Sequence, residues 1–299
     1  MALSVNTNIA ALNSYRNLST TQNSMGKSLE KLSSGFRINR AADDAAGLAI
    51  SEGMRSQMGG IKVGIRNAQD GISLVQTAEG ALNETTSILQ RMRDLTVQAG
   101  NSGSLTKEAT DNIQVELTEL TEEVDRIANS TTFNGQNLFG KAGASETEGY
   151  SGTFQIGANA SETVTVDIDR ADAKALFSTS GASGAAASGL VKLVGGTGAT
   201  AKAAIDSAVS TNLKKLDEAV KTVSTSRASL GATQNRFEHT INNANVALEN
   251  VTASESRIRD TDMASEMVNF TRSQILSQAG TAMLSQAKSI PQGVLSLLQ

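Results

Sequence analysis

From Leu213 to Ile258 the chain reads LKKLDEAVKTVSTSRASLGATQNRFEHTINNANVALENVTASESRI, and the spacing of its apolar residues decides the fold. Leu213, Leu216, Val220, Val223, Leu230, Phe237, Ile241, Ala244, Leu248, Val251 and Ile258 recur at steps of three and four, with Arg227, Gln234 and Glu255 filling the intervening positions. No proline interrupts the run, so the pattern predicts one long helix presenting a coiled-coil seam. At the helical rise per residue it extends roughly 70 Å. The polar seam residues weaken the packing and help to fix its register.

Partners of matching period lie in the N-terminal half. Ile61, Ile65, Ala68, Ile72, Val75 and Leu82 form one stripe, and Ile88, Met92, Leu95 and Ala99 an overlapping one. Asn101-Ser-Gly-Ser reads as a break, after which Thr106 caps a helix carrying Ile113, Leu117, Leu120, Val124 and Ile127. Asn134-Gly135 is a turn signal that closes this region. Three long helices of one period bury each other's seams, and each large side chain fully buried contributes about 1.5–3 kcal/mol. The middle differs: Thr153-Phe-Gln-Ile-Gly and Thr163-Val-Thr-Val-Asp-Ile alternate with period two, which predicts a β-hairpin around Ala158 to Ser161. Residues 178–204, rich in Gly, Ala, Ser and Thr around the apolar island Leu190 to Val194, read as a variable, exposed, weakly packed excursion.

Composition narrows the function classes. The 299 residues include no Cys, no Trp, one His, one Pro, seven Phe and two Tyr. Disulfides, thiolate chemistry and Cys-ligated metals are excluded, as are zinc sets that need several imidazoles. A mean hydropathy of −0.19 and a net charge of −4 do not describe a disordered chain. So few large flat side chains point instead to narrow seams rather than one broad core. Basic and acidic residues balance along the whole chain, which gives no nucleic-acid face. The start, MALSVNTNIAALNS, lacks the basic and continuous apolar segments of a cleavable secretory signal, and no stretch approaches the roughly 20 apolar residues of a membrane span.

Each end carries a helical stripe without a partner in its own segment. Val5, Ile9 and Leu12 lead to Met25, Leu29, Leu32 and Phe36 at the start. Met263, Met267, Phe270, Ile275, Ala279, Met283 and Leu284 lead to Val294, Leu295, Leu297 and Leu298 at the finish. Helices this narrow are marginal alone in water, so the two ends are expected to pair, with the leftover apolar surface covered by further copies of the chain. Other motifs carry less. Gly195-Gly-Thr-Gly-Ala-Thr-Ala-Lys202 fits a loose dinucleotide fingerprint, but the acids about twenty residues on, Asp217 and Glu218, lie inside the heptad helix. Asp43-Asp44 reads as a partner for Arg37, Arg40 or a neighbouring subunit, and His239 falls off the seam.

The termini resemble those of the bacterial flagellins. The resemblance rests on Ser4-Val-Asn-Thr-Asn8, Leu29-Glu-Lys-Leu-Ser-Ser-Gly-Phe-Arg-Ile-Asn39 and Ala41-Ala-Asp-Asp-Ala-Ala-Gly-Leu-Ala-Ile50 at the start. At the end it rests on Ser256-Arg-Ile-Arg-Asp260, Gln274-Ile-Leu-Ser-Gln-Ala-Gly280 and Pro291-Gln-Gly-Val-Leu-Ser-Leu-Leu298. It implies a mainly α fold of long antiparallel coiled-coil helices with a small β-hairpin region, an elongated rod that polymerises into a helical filament. Residues 1–43 with 258–299 would form an inner terminal coiled coil, and 44–177 with 205–257 a helical rod domain including the hairpin near 150–170.

The implied function is structural and not enzymatic: a subunit of the extracellular flagellar filament that serves as a propeller, with no cofactor. Implied partners are other copies of the chain, a flagellar export chaperone, and the filament cap and hook-filament junction proteins. Export would run through the flagellar type III apparatus without a cleavable signal peptide. A flagellin-like hook-filament junction protein is the alternative. The assembly seam would use Ile9, Leu12, Met25, Leu29, Leu32, Met263, Met267, Phe270, Ile275, Met283, Leu284, Leu295 and Leu298. Flagellins are also ligands of animal Toll-like receptor 5, and the matching positions here are Gln90, Arg91, Arg93, Leu95 and Gln98, with Glu116 on the next helix. Arg91 beside an apolar Leu95 would be the central contact. Asp94 stands where receptor-active relatives more often carry Glu.

Overall fold

The computed structural model describes residues 8–101, 105–140, 149–177, 190, 192–193 and 199–296. In chain order the elements are α1 (Ile9–Ser34), α2 (Ala45–Ala99), α3 (Lys107–Ser130), β1 (Thr132–Phe133), β2 (Gln136–Asn137), β3 (Tyr150–Gln155), β4 (Thr163–Ile168), α4 (Ala173–Leu176), α5 (Ala199–Arg259) and α6 (Met263–Ser296). The chain divides into a terminal unit, Met1–Gly59 with Ala247–Gln299, and a central unit, Gly60–Val246. The terminal unit thus takes in the N-terminal stretch of α2 and the C-terminal stretch of α5 along with the chain ends. Among the described residues no helix is long and apolar enough to cross a membrane.

In the central unit the three expected helices share one core. Leu74, Val75, Leu82, Leu89 and Met92 of α2, Ile113, Leu117 and Val124 of α3, and Leu216, Val223, Leu230 and Phe237 of α5 are all buried in it. The α5 residues follow the heptad, and Arg227 in the seam reaches Glu79 of α2 at 3.8 Å. Local chemistry sets the helix ends. Thr106 Oγ1 accepts the Ala109 N–H at 3.3 Å and so caps α3. At the other end Asn137 Nδ2 donates to the carbonyls of Ala128 and Asn129, two acceptors that the last turn cannot satisfy itself. The Asn134-Gly135 turn, with positive φ at both residues, closes the short β1–β2 hairpin and delivers Leu138 and Phe139 into the core.

Strands β3 and β4 pair antiparallel from Tyr150↔Ile168 to Gln155↔Thr163, as the alternation predicts. Val164, Val166 and Ile168 point inward, and the Phe154 ring meets that of Phe237 edge-on at 5.8 Å. The hairpin lies against α2 where Gly64 leaves room: a Cβ there would run into the Ile156 carbonyl oxygen. Asn67 Nδ2 secures the contact by donating to Gln155 O at 2.8 Å. Beyond the hairpin, α4 is anchored by its Ala173 N–H, which donates to Asp125 Oδ1 of α3 at 2.7 Å.

Two parts of the expected excursion are not exposed loop. Residues 199–204 already belong to α5, and Leu193 is buried in the core with its N–H donated to Gln114 Oε1 at 2.7 Å. The apolar island reads as exposed because its flanks are polar and small; its partner, a Gln on α3, is 79 residues away in sequence. Residues 178–189, 191 and 194–198, including most of the glycine-rich loop, lie outside the described residues.

In the terminal unit α1 packs along α6. Asn8 caps α1 by accepting the Ala11 N–H and donates its own Nδ2 to Ala287 O at 2.7 Å. Residues of reduced exposure recur at heptad spacing on both helices: Ala11, Ser14, Leu18, Thr21, Met25, Ser28 and Leu32 on one, Phe270, Ser273, Ser277, Gly280, Leu284 and Ala287 on the other. Small side chains alternate with larger ones, so the backbones approach closely; a Cβ on Gly280 would meet Leu18 Cδ1 at 3.2 Å. The polar half of this seam explains why Leu29 reads as the seam residue in the sequence, whereas Ser28 occupies it and Leu29 is exposed.

The two connections in this unit are stitched together. Phe36 bridges Asp260, the Arg37 N–H donates to Arg259 O at 2.6 Å, and the Thr261 N–H donates to Gly35 O at 3.0 Å. The Arg259 guanidinium lies 4.8 Å over the Phe36 ring and pairs with Glu52 at 2.7 Å. Asp43 and Asp44 have backbone partners rather than arginine side chains: Asp43 Oδ2 accepts the N–H groups of Asn39 and Arg40, and Asp44 Oδ1 accepts that of Gly47 in the first turn of α2. Arg37 and Arg40 go elsewhere, to Ile258 O and Glu30.

Candidate functional site

Once α1 and α6 have paired, a second set of apolar side chains is left facing away from their seam. Ile9, Leu12 and Leu29 on α1 and Met263, Met267, Ile275 and Met283 on α6 are all exposed. The expected assembly seam therefore divides in two. Met25, Leu32, Phe270 and Leu284 are half-buried in the contact between α1 and α6, while the other seven stand outside it. Leu295 falls on the last turns of α6, and Leu298 lies outside the described residues.

Tyr15, Val268 and Leu276 join the exposed set and were not singled out in the sequence. The available signal was that apolar residues go all round α6 instead of following one stripe, a pattern that belongs to a helix covered on several sides. Met267, Val268, Thr271, Arg272, Ile275 and Leu276 line an open depression on its outer face. Such a surface has no catalytic groups. Its chemistry is apolar burial, for which an extended helical partner is the natural complement.

The second candidate surface lies in the central unit. Arg91 of α2 donates from Nε and Nη2 to a single oxygen, Oε1 of Glu116 on α3, at 2.9 and 2.6 Å. Arg93 donates to Asp217 Oδ1 on α5 at 2.8 Å, and this hydrogen bond is the main cause that raises the arginine's pKa. Gln90, Asp94 and Gln98 are exposed beside them. Leu95 is not the apolar knob expected next to Arg91: it is 2% exposed and belongs to the core. Positions 91 and 95 are one helical turn apart, but the stripe through Met92, Leu95 and Ala99 faces α3 and α5. Val97 of α2 and Val115 of α3, both off the heptad stripes, are exposed.

Comparison with known proteins identifies both end regions of the chain. The bacterial flagellin N-terminal helical region matches residues 5–144, and the bacterial flagellin C-terminal helical region matches residues 213–298. The flagellin of Bacillus subtilis (strain 168) is 51% identical over 307 residues, with 99% of each chain covered. That of Halalkalibacterium halodurans is 46% identical over 299 residues, again with 99% of each chain covered. Among solved structures, the Bacillus cereus flagellin shares 32% identity, covering 60% of this chain and 88% of that one with a TM-score of 0.46. With both end regions matched and a relative of more than half-identical sequence along nearly the whole length, this chain belongs to the bacterial flagellin family.

Proposed function

We propose that this chain, a structural subunit of the extracellular flagellar filament, polymerises through the outward faces of α1 and α6 and so builds the propeller that drives swimming. The observation that supports the reading most strongly is the double apolar character of the terminal helices: one set of residues packs α1 on α6, and a second set, from Ile9 to Met283, is left exposed among the described residues. Exposed apolar side chains in such number have a cost in a monomer and a use in a polymer. The same faces suit a chaperone before assembly and the cap and hook-filament junction proteins at the two ends of the filament. Full-length identity to filament flagellins favours the filament subunit over a junction protein.

Removing residues 260–299 tests this. The shortened chain is expected to keep the circular dichroism of a helical protein, because the core of the central unit stays intact, and to form no filaments by electron microscopy. Filaments of normal length from the shortened chain would overturn the assignment.

As free monomer the chain is also proposed to be recognised by animal Toll-like receptor 5 through Arg91, Glu116 and their exposed neighbours Gln90, Arg93 and Gln98. The Arg91–Glu116 pair holds a planar cation in place on the surface, ready for a partner carboxylate or carbonyl. Leu95 does not contribute a direct contact in this arrangement. Substituting Arg91→Ala is expected to lower activation of receptor-bearing cells by at least about tenfold, the scale of an interface anchor, and Leu95→Met to leave it unchanged. Equal activity of Arg91→Ala and the unaltered chain would refute the role.

A further inference from the structure

The chain contains eight methionines and no cysteine, so thioether sulfur is the softest and most readily oxidised group it carries. The methionines are not equivalent. Met92 is fully buried in the core of the central unit. Met25 sits in the seam between α1 and α6, and the Met58 sulfur accepts the Thr252 hydroxyl at 3.1 Å. Met263, Met267 and Met283 differ from all of these: they are 48%, 50% and 64% exposed and lie on the outer faces of α6 among Val268, Ile275 and Leu276.

We infer that Met263, Met267 and Met283 form an oxidation-sensitive site that sets whether a free subunit can enter the polymer. The inference rests on the reading of these faces as assembly surfaces. A peroxide is the co-reactant. The sulfur lone pair attacks one peroxide oxygen, the O–O bond breaks, and the second oxygen leaves as water after taking up the proton of the transferred one. Sulfur is oxidised by two electrons and peroxide is reduced by two. Each product carries a strong S=O dipole where an apolar thioether stood.

In the monomer this change is tolerated, because the oxygen points into water. In the polymer the same oxygen is buried without a hydrogen-bond partner, a penalty on the order of tenfold in affinity for each sulfoxide. With no thiol in the chain to intercept the oxidant, the exposed thioethers react first. Once the faces are covered, the same sulfurs are shielded, so a finished filament resists the oxidant that disables its free subunits. Methionine sulfoxide reductases reverse the change.

The test uses the full chain, hydrogen peroxide and peptide mass spectrometry. In the monomer, Met263, Met267 and Met283 are expected to gain one oxygen each well before Met58 and Met92, and the treated monomer to polymerise at least about tenfold less at the same concentration. Reduction with a sulfoxide reductase should restore assembly, and a Met263→Leu/Met267→Leu/Met283→Leu chain should assemble equally before and after peroxide. Normal polymerisation by a monomer shown to carry all three oxygens would overturn the inference, as would failure of the reductase to rescue it. Peroxide treatment of preformed filaments separates the two levels. Protection there, with normal assembly of oxidised monomer, sinks only the oxidation switch. Equal reaction in filament and monomer would mean that the faces are not covered, and the assembly reading itself fails.

Discussion

The central and terminal units use the same heptad spacing and complete it in opposite ways. In α5, Leu216, Val223, Leu230 and Phe237 recur in the seam and disappear into a core that the chain supplies for itself. In α6 the seam carries Ser273, Ser277 and Gly280, while large apolar residues such as Ile275, 60% exposed, lie on the other faces. One unit is closed within the chain; the other has its strongest apolar groups directed at something else. Stability and assembly are thereby separated along one sequence, because the residues that hold the monomer together are not the ones available to a neighbour.

Substitutions in the two units should fall on different measurements. The largest expected effect on the monomer is Phe237→Ala, which removes a fully buried ring together with its edge-on contact to Phe154. Its cost should be about 3–5 kcal/mol, read as a lowered denaturation midpoint. Next comes Gly64→Ala, where the added methyl has nowhere to go but into the Ile156 carbonyl. Displacing the β3–β4 hairpin from α2 should cost about 1–3 kcal/mol. A change at Gly280, whose nearest neighbour is the movable end of Leu18, should be milder in the monomer.

A smaller difference should appear in acid. Arg259 holds the Glu52 carboxyl below its ordinary value of 4.5, chiefly through their hydrogen bond. The backbone N–H groups of Arg40 and then Asn39 do the same for Asp43, whose ordinary value is 3.8. A lowered pKa in the folded state means that the stabilisation is complete above these ordinary values and is lost as the pH falls through the folded ones. In the terminal unit Glu52 links segments far apart in sequence. In the central unit the lowered acids Glu123 and Glu162 pair locally, with Arg126 and Asn159 three residues away. Titration below about pH 4 should therefore loosen the stitched connections around Phe36 and Arg259 before the central core. A Glu52→Gln chain should show a smaller acid effect by near-ultraviolet circular dichroism, where the Phe36 environment reports. The same acid response in both chains would remove Glu52 from this role.

How much of this was legible in the sequence follows the same division. The heptad from Leu213, the break near Asn101, the Thr106 cap and the period-two hairpin all stand in the structure, since each depends on partners that share one regular pattern. Which apolar face of α1 packs on α6 was not legible: the contact runs through Ser28 while Leu29 is exposed, because on α1 and α6 more than one face is apolar. Leu95 shows the converse: the receptor motif marks it as a contact, but the stripe Ile88, Met92, Leu95 and Ala99 already assigns it to a seam, and the structure follows the stripe. Leu193 and the stitching of Phe36 to Asp260 could not be read at all, as both depend on contacts between segments distant in sequence with no periodic signal.

The central claim is that the outward face of α6 serves assembly and not the fold of the monomer, and Ile275→Asp tests it most directly. Placing a carboxylate on an exposed site should shift the monomer's stability by no more than about 0.5 kcal/mol, while burying that charge between subunits should abolish filaments in electron micrographs. Filaments from the Ile275→Asp chain at the normal concentration, or a monomer that no longer folds, would contradict the account.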